Sequence, residues 1–137
     1  MPRMAATRPP RALLIDDEPA LLALMARAFE AAGWVTAQAG NGRQGLNLLA
    51  SYAPDLVVTD IVMPEMEGIG TILEIRRRPS PPKVIAISGA RLSRNADYLT
   101  WASQLGADHV LSKPFRLAEL VRLADTLIPN QHTEDGA

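Results

Sequence analysis

The stretch ALLIDDEP at residues 12–19 decides how the chain is interpreted, because it joins a short apolar run to an acidic turn. A short apolar run is typical of a buried strand, and Pro19 suits the first turn of a following helix. The same pattern recurs further along the chain, in DLVVTD at residues 55–60, VIAIS at 84–88 and HVLSK at 109–113. Each of these apolar runs ends in a polar residue whose side chain can bind a ligand or take part in a reaction.

Segments with a helical pattern separate the strands. They lie at residues 21–32, 45–52, 68–78, 98–105 and 117–127. The stretch WVTA at 34–37 is a further strand, and no reactive side chain follows it. Five short strands alternating with five helices predict an α/β fold, an open and doubly wound parallel sheet with helices on both faces. The strands are apolar throughout, as expected when both faces of a sheet are covered.

Length and composition favour one folded domain without disulfides. Hydrophobic residues make up 47% of the 137 residues, and the chain contains no cysteine. A chain of this size can bury one core without a disulfide framework or a thiolate metal site. The polar ends predict a flexible N-terminal arm at residues 1–10 and a flexible tail at 129–137. The folded domain is expected at residues 11–128, which leaves no room for a second domain.

Charge and hydropathy exclude several classes of partner. The formal net charge of −1 provides no general attraction for nucleic acid or for an anionic membrane surface. No apolar run approaches the ~18 residues of a membrane span, and the first ten residues lack the apolar segment of a signal peptide. The absence of cysteine is compatible with a reducing compartment, so we expect a cytoplasmic protein.

Polar side chains follow four of the five predicted strands. Asp16 and Asp17 follow the first strand, Asp60 ends the third, Ser88 ends the fourth, and Lys113 follows the fifth. Because binding sites in open parallel sheets lie beyond the carboxyl ends of the strands, we expect these side chains to converge. Each has an alternative role when taken alone, as a helix cap, a turn residue or a surface charge. Their agreement in position favours one common site.

The converging residues fit phosphoryl transfer. Three aspartates repel one another unless a cation lies among them, and Mg²⁺ prefers such oxygen ligands. A lysine and a serine hydroxyl suit the oxygens of a phosphoryl group, whose transfer depends mostly on positioning and charge neutralisation. A carboxylate can itself be the nucleophile. The two histidines are poorer candidates, since His132 lies in the polar tail and His109 lies within a predicted strand.

Four motifs give the chain a family resemblance. IDDE at residues 15–18, VTDIVMP at 58–64, ISGA at 87–90 and LSKPF at 111–115 are similar to the motifs of the response regulator receiver family. The resemblance extends over nearly the whole predicted domain, residues 11–128. It implies a flavodoxin-like fold with the strand order 2-1-3-4-5.

The resemblance also assigns a role to each site residue. It implies that Asp60 is the phosphoacceptor and that the cofactor is Mg²⁺. Asp17 would bind the ion directly, Asp16 mainly through water, and Val62 through its backbone carbonyl. Lys113 would contact the phosphoryl oxygens.

Further expectations concern how the domain responds to phosphorylation. Ser88 would hydrogen-bond the phosphoryl group, and the Lys113-Pro114 peptide bond would be cis. The family often has an aromatic residue that acts as a rotating switch where this chain has Val110. The chain therefore lacks that aromatic switch for transmitting the signal. Val62 and Ala90 occupy positions that often tune dephosphorylation, and neither can orient water, so we expect slow loss of the phosphoryl group.

The resemblance implies a stand-alone response regulator of a two-component or phosphorelay system. A histidine kinase or a histidine phosphotransfer protein would be the donor, and a target protein would bind the face of the fourth helix, fifth strand and fifth helix. That face would include Arg94, Trp101, Val110, Arg116 and Arg122. The protein would be a monomer or a weak homodimer.

Two other functions are compatible with parts of this sequence pattern. The first is a protein-binding module with the same fold that is never phosphorylated. The second is a phosphatase with an aspartyl-phosphate intermediate, but Val62 stands where such enzymes usually have a general acid. We therefore expect a phosphoacceptor and not an enzyme.

Overall fold

A computed structural model describes residues 8–61, 67–88 and 106–128. The strands are β1 (Arg11–Ile15), β2 (Val35–Ala39), β3 (Leu56–Asp60), β4 (Lys83–Ser88) and β5 (His109–Ser112). The described helices are α1 (Pro19–Ala31), α2 (Gly42–Tyr52), α3 (Glu67–Arg76) and α4 (Leu117–Leu127). Helix α4 is thus the fifth helix predicted from the sequence. The fourth predicted helix, Val62, Ala90, Arg94, Trp101 and His132 lie outside the described residues.

The strands form one parallel sheet in the order β2-β1-β3-β4-β5. This confirms the predicted fold class and strand order. Strand β2, which carries no reactive residue at its end, lies at one edge. Because β3 and β1 are interior neighbours, the ends of the strands that carry Asp60 and Asp16 lie side by side.

A core covers each face of the sheet. On one face, the helices α1 and α4 pack on strand residues such as Leu14, Val58 and Ile87. On the other face, α2 and α3 pack on Ile15 and Val57, among others. Burial on both faces explains the long apolar runs of the three interior strands, β1, β3 and β4. Within the described ranges, no helix is both long enough and apolar enough to cross a membrane.

The helix boundaries follow from local sequence signals. Pro19 occupies the first turn of α1, and Gly33 follows the helix with a φ of 95° that favours glycine. Asn41 caps α2, since its side chain accepts a hydrogen bond from the Gln44 N–H at 2.9 Å. Pro19 and Gly33 are the start and stop signals expected from the sequence, whereas α2 begins at Gly42, three residues before the predicted start at residue 45.

Asp55 joins three chain segments at the end of the sheet opposite the site. Its Oδ2 accepts from the Arg11 N–H at 2.9 Å, and its Oδ1 accepts from Arg8 Nη2 at 3.0 Å. Its own N–H donates to the Arg11 carbonyl, and its carbonyl accepts from the Lys83 N–H. Pro10 is buried, and its carbonyl accepts from the Val35 N–H. Contacts between the N-terminal residues and the folded domain therefore begin before Arg11. The domain boundary at residue 11 stays a prediction.

Replacing Asp55 with alanine should lower the free energy of unfolding by about 1–3 kcal/mol, because the Arg11 N–H loses its acceptor. Asp55→Asn is the matched control, since its amide oxygen can still accept from that N–H. Urea unfolding measures both variants. An alanine variant as stable as the wild type would contradict the role assigned to this carboxylate.

Candidate functional site

Four of the predicted site residues lie at one rim of the sheet. Asp60 is the last residue of β3, and Asp16 and Asp17 directly follow β1. Lys113 directly follows β5. The Ile61 N–H donates to the Ile87 carbonyl, which continues the β3–β4 pairing past Asp60. The rim is therefore built on paired backbone and does not depend on a free loop.

The three aspartates form a cluster of oxygen ligands. One carboxylate oxygen from each of Asp16, Asp17 and Asp60 lies within 4.8 Å of the others. Asp16 and Asp60 are buried, at 1% and 5% exposure, whereas Asp17 is exposed. The site is therefore shielded from water on the side of Asp16 and Asp60 and accessible to solvent on the side of Asp17.

Asp16 is held on one side and lacks a hydrogen bond on the other. Its backbone N–H donates to the Ala39 carbonyl at 3.1 Å. Its Oδ1 accepts from the Glu18 N–H at 2.9 Å. Its Oδ2 is buried without a hydrogen bond among the described residues, and Lys113 Nζ lies 3.9 Å away. Burial, with the nearby charges of Asp60 and Asp17, raises the pKa of Asp16 from 3.8 to about 6.

Lys113 provides the positive charge at the site. Its Nζ donates to Asp60 Oδ2 at 3.3 Å. Burial lowers the pKa of Lys113, but the carboxylates of Asp60 and Asp16 outweigh this effect, and the pKa lies above its usual 10.5. The ammonium is therefore charged at neutral pH. The Lys113-Pro114 peptide bond is cis, as the sequence led us to expect.

Ser88 lies at the end of the neighbouring strand. Its carbonyl accepts from the Lys113 N–H at 2.8 Å, which ties the end of β4 to the residue after β5. The Ser88 hydroxyl is fully buried and has no hydrogen-bond partner among the described residues. A buried polar group without a partner is costly, so this hydroxyl is available to a ligand that brings an acceptor.

The cluster fits a hard divalent cation. All its donor atoms are carboxylate oxygens, which Mg²⁺ prefers, and the buried Asp16 Oδ2 lacks a hydrogen bond within the described part of the chain. Among the described residues, the single ammonium of Lys113 does not balance three carboxylates. Asp16, Asp17 and Asp60 are thus the residues that can hold the ion, while Val62, whose carbonyl was expected to contribute, lies outside the described residues.

The sequence did not indicate an apolar groove beside the site. It has a volume of about 540 Å³ and is lined by Glu18, Leu21, Leu24, Lys113, Pro114, Phe115 and Leu117. Leu24 is 50% exposed although it belongs to α1. Helical spacing predicts that Leu24 lies on a helix, but only the position of α4 against α1 shows that a groove forms there.

The alternative in which the acids cap α1 finds no support in the described contacts. Glu18 is the residue before the first turn of α1, and its side chain makes no capping hydrogen bond. Asp16 accepts from the Glu18 N–H, one residue before the helix begins. This is a local turn contact that orients the carboxylate toward the rim.

Comparison with known proteins decides the family. The response regulator receiver domain family matches residues 12–125. The chain belongs to this family. This confirms the resemblance drawn from the four motifs, and the receiver domain fills most of the sequence.

Curated relatives agree with this assignment. The chain is 36% identical over 132 residues to the transcriptional regulatory protein TrcR of Mycobacterium tuberculosis, covering 94% of this chain and 49% of that protein. It is 37% identical over 110 residues to the regulatory protein AtoC of Escherichia coli, covering 80% of this chain and 23% of that protein. The chain spans about half the length, or less, of these curated relatives.

Solved receiver domains have the same fold. The receiver domain of the Francisella response regulator 1452 superposes with a TM-score of 0.78 at 27% identity, over 86% of this chain and 95% of that one. The signal receiver domain from Bermanella marisrubri gives 0.77 at 28% identity, over 88% of this chain and 98% of that one. The roles of the individual site residues stay predictions.

The raised pKa of Asp16 has a consequence for stability without a metal ion. Because its pKa is higher in the folded state, the folded protein binds more protons than the unfolded chain between pH 3.8 and about 6. Asp16 therefore destabilises the fold increasingly as the pH rises through this range. Asp16→Asn should be more stable than the wild type at pH 7 by up to about 3 kcal/mol. The advantage should disappear near pH 4.

Urea unfolding of both proteins at pH 4 and pH 7, with a chelator present, measures this difference. Asp17→Asn is the matched control, because Asp17 is exposed and its neutralisation should change stability less. Adding Mg²⁺ should reduce the advantage of Asp16→Asn. An advantage of equal size at both pH values would contradict the assignment of the destabilising charge to Asp16.

Proposed function

We propose that this receiver domain accepts a phosphoryl group on Asp60 from a phosphohistidine donor, with Mg²⁺ bound at the acidic cluster. The observation that carries the proposal is the contact between Asp60 Oδ2 and Lys113 Nζ at 3.3 Å, beside two further aspartates. The donor would be a histidine kinase or a histidine phosphotransfer protein. The protein would work in the cytoplasm as a response regulator.

The acidic cluster would hold the metal ion. Asp17 and Asp60 would bind it directly, and Asp16 would act mainly through water. A bound Mg²⁺ supplies positive charge that neutralises phosphoryl oxygens and the carboxylates around them. The burial of Asp16 and Asp60 keeps the site dry on one side, which strengthens electrostatic interactions there.

Asp60 would be the nucleophile. One of its carboxylate oxygens forms the new bond to phosphorus while the phosphorus–nitrogen bond of the donor breaks. The electron pair of the broken bond stays with the imidazole nitrogen, which takes a proton from solvent. The product is an aspartyl phosphate and a free histidine, so the domain is a stoichiometric acceptor and not an enzyme.

Lys113 and Ser88 would respond to the new group. The Lys113 ammonium is charged and next to Asp60, so it can pair with phosphoryl oxygens. The buried Ser88 hydroxyl can donate to a phosphoryl oxygen and thereby gain a partner. Phosphorylation adds about −1.5 to −2 charges at the rim, which biases a two-state element in the neighbouring structure.

The signal would leave through a surface on β5 and α4. Arg116 and Arg122 are exposed there, and the half-buried Val110 packs against the core on the α2–α3 face. A target protein would bind at this surface, so the output of the regulator would be a protein–protein contact. The working form would be a monomer or a weak homodimer. The slow loss of the phosphoryl group, expected from Val62 and Ala90, is part of this proposal.

A small phosphodonor tests acceptance at Asp60. After incubation with Mg²⁺ and an acyl phosphate, intact-mass spectrometry should find one phosphoryl group on the wild type and none on Asp60→Ala. A chelator should abolish the modification. If the wild type stays unmodified and beryllofluoride with Mg²⁺ changes none of its amide resonances, the unphosphorylated binding module becomes the better account.

The apolar groove gives the donor protein a place to bind. It begins at Lys113, next to the reacting carboxylate, and it exposes half of Leu24. A donor protein must bring its phosphohistidine to Asp60 over this same rim. Apolar side chains at the rim suit a transient protein contact better than they suit solvent.

Leu24→Glu should therefore slow transfer from a phosphohistidine donor protein by about tenfold and leave modification by a small acyl phosphate unchanged. A loss of this size corresponds to about 1.4 kcal/mol. Leu73→Glu is the matched control, because Leu73 is 44% exposed but lies on α3, outside the groove. Stopped-flow transfer rates measure both. Equal rates for the two variants would contradict the docking assignment.

A further inference from the structure

At Gly45, helix α2 contributes no side chain to its contact with the strand that leads to Asp16, and the Ile15 side chain of that strand packs against the helix. Gly45 is a buried residue in the first turns of α2. A Cβ atom added there would collide with Ile15 Cδ1 and lie 2.9 Å from Ile15 Cγ1. The Ile15 side chain therefore fills the space that any side chain at position 45 would need. This glycine is required for a close approach and not for an unusual backbone angle.

Ile15 directly precedes Asp16 and shares its backbone restraints. Ile15 pairs with Ala39 in the β1–β2 register, and the Asp16 N–H donates to the Ala39 carbonyl at 3.1 Å. The same added Cβ at Gly45 would lie 3.9 Å from the Ala39 Cβ. Gly45 thus faces both strand ends that hold the Asp16 backbone in place.

The start of α2 is fixed and cannot easily move away from Ile15. The Gly40 N–H donates to Gln44 Oε1 at 2.8 Å, and the Gln44 N–H donates to Asn41 Oδ1 at 2.9 Å. These reciprocal bonds join the turn after β2 to the first turn of α2. Extra volume at position 45 must therefore be accommodated by the buried side chain of Ile15, the residue that directly precedes Asp16.

We propose that the Gly45–Ile15 contact is a positioning element for the metal-binding carboxylates of Asp16 and Asp17. The inference rests on the Mg²⁺ site proposed above. The Ile15 side chain packs between the β1 backbone and α2. The absence of a side chain at Gly45 determines how closely α2 approaches the end of β1. Groups that orient metal ligands without touching the ion typically change metal affinity by about 10–100-fold when they are altered.

The test is a double-mutant cycle in which one methyl group is moved across the contact. Gly45→Ala should weaken Mg²⁺ binding about tenfold, because the new methyl displaces Ile15 and the Asp16 backbone. Ile15→Val removes the Cδ1 atom that would collide and should weaken binding by a smaller factor, about threefold. Isothermal titration with MgCl₂ measures the affinity, and the amide shift of Glu18 reports the Asp16 carboxylate that it contacts.

The proposal predicts a strong coupling between the two substitutions. Gly45→Ala weakens binding about tenfold in the wild type but should weaken it far less in the Ile15→Val background, where Cδ1 is gone and only the contact with the γ carbon has to relax. The comparison of Ile15→Val with the double variant stands even if Gly45→Ala alone does not fold. Ile72→Val, which removes a methyl from the same core but away from the rim, should leave the affinity unchanged.

Each outcome of the cycle either supports or overturns the positioning role of the Gly45–Ile15 contact. A much smaller effect of Gly45→Ala in the Ile15→Val background than in the wild type supports the positioning role, since a loss of stability alone does not explain it. Affinity unchanged by Gly45→Ala, or an equal loss in both backgrounds, would overturn it. A wild type that does not bind Mg²⁺ would instead overturn the metal site, and this inference with it.

Discussion

The site depends on an imbalance of charge between three carboxylates and one ammonium. Asp16 and Asp60 are buried, and Lys113 is within 4.0 Å of both. One cation cannot neutralise the set, and the raised pKa of Asp16 reflects this together with its burial. The excess negative charge favours a divalent cation as a ligand, and such a cation would offset the further negative charge of a phosphoryl group.

The fold contributes to this site mainly through the order of its strands. Because β1 and β3 are neighbours, their carboxyl ends bring Asp16 and Asp60 together, and β4 and β5 bring Ser88 and Lys113 to the same rim. Backbone pairing past the end of β3 and between Lys113 and Ser88 keeps the rim in register. At the opposite end, Asp55 joins β1, β3 and β4, so the sheet is fixed at both ends.

Much of this could be predicted from the sequence, because the decisive signals are local. Apolar runs that end in Asp16 and Asp60 predict buried strands, and the rule that sites lie beyond strand ends predicts their convergence. The groove at Leu24 and the contact of Gly45 with Ile15 could not be predicted. Both depend on how closely a helix approaches a strand or another helix, and this distance is set by the packing of side chains that are far apart in sequence.

The buried Asp16 carboxylate carries a charge that its neighbours among the described residues offset only in part, and that a divalent cation would relieve. Carbon-detected NMR of the side-chain carboxyl of Asp16, followed against pH, measures this directly. We expect a titration near pH 6 in the metal-free protein and a midpoint shifted to lower pH when the protein is saturated with Mg²⁺. An Asp16 that titrates near 3.8, with no change on addition of Mg²⁺, would contradict it.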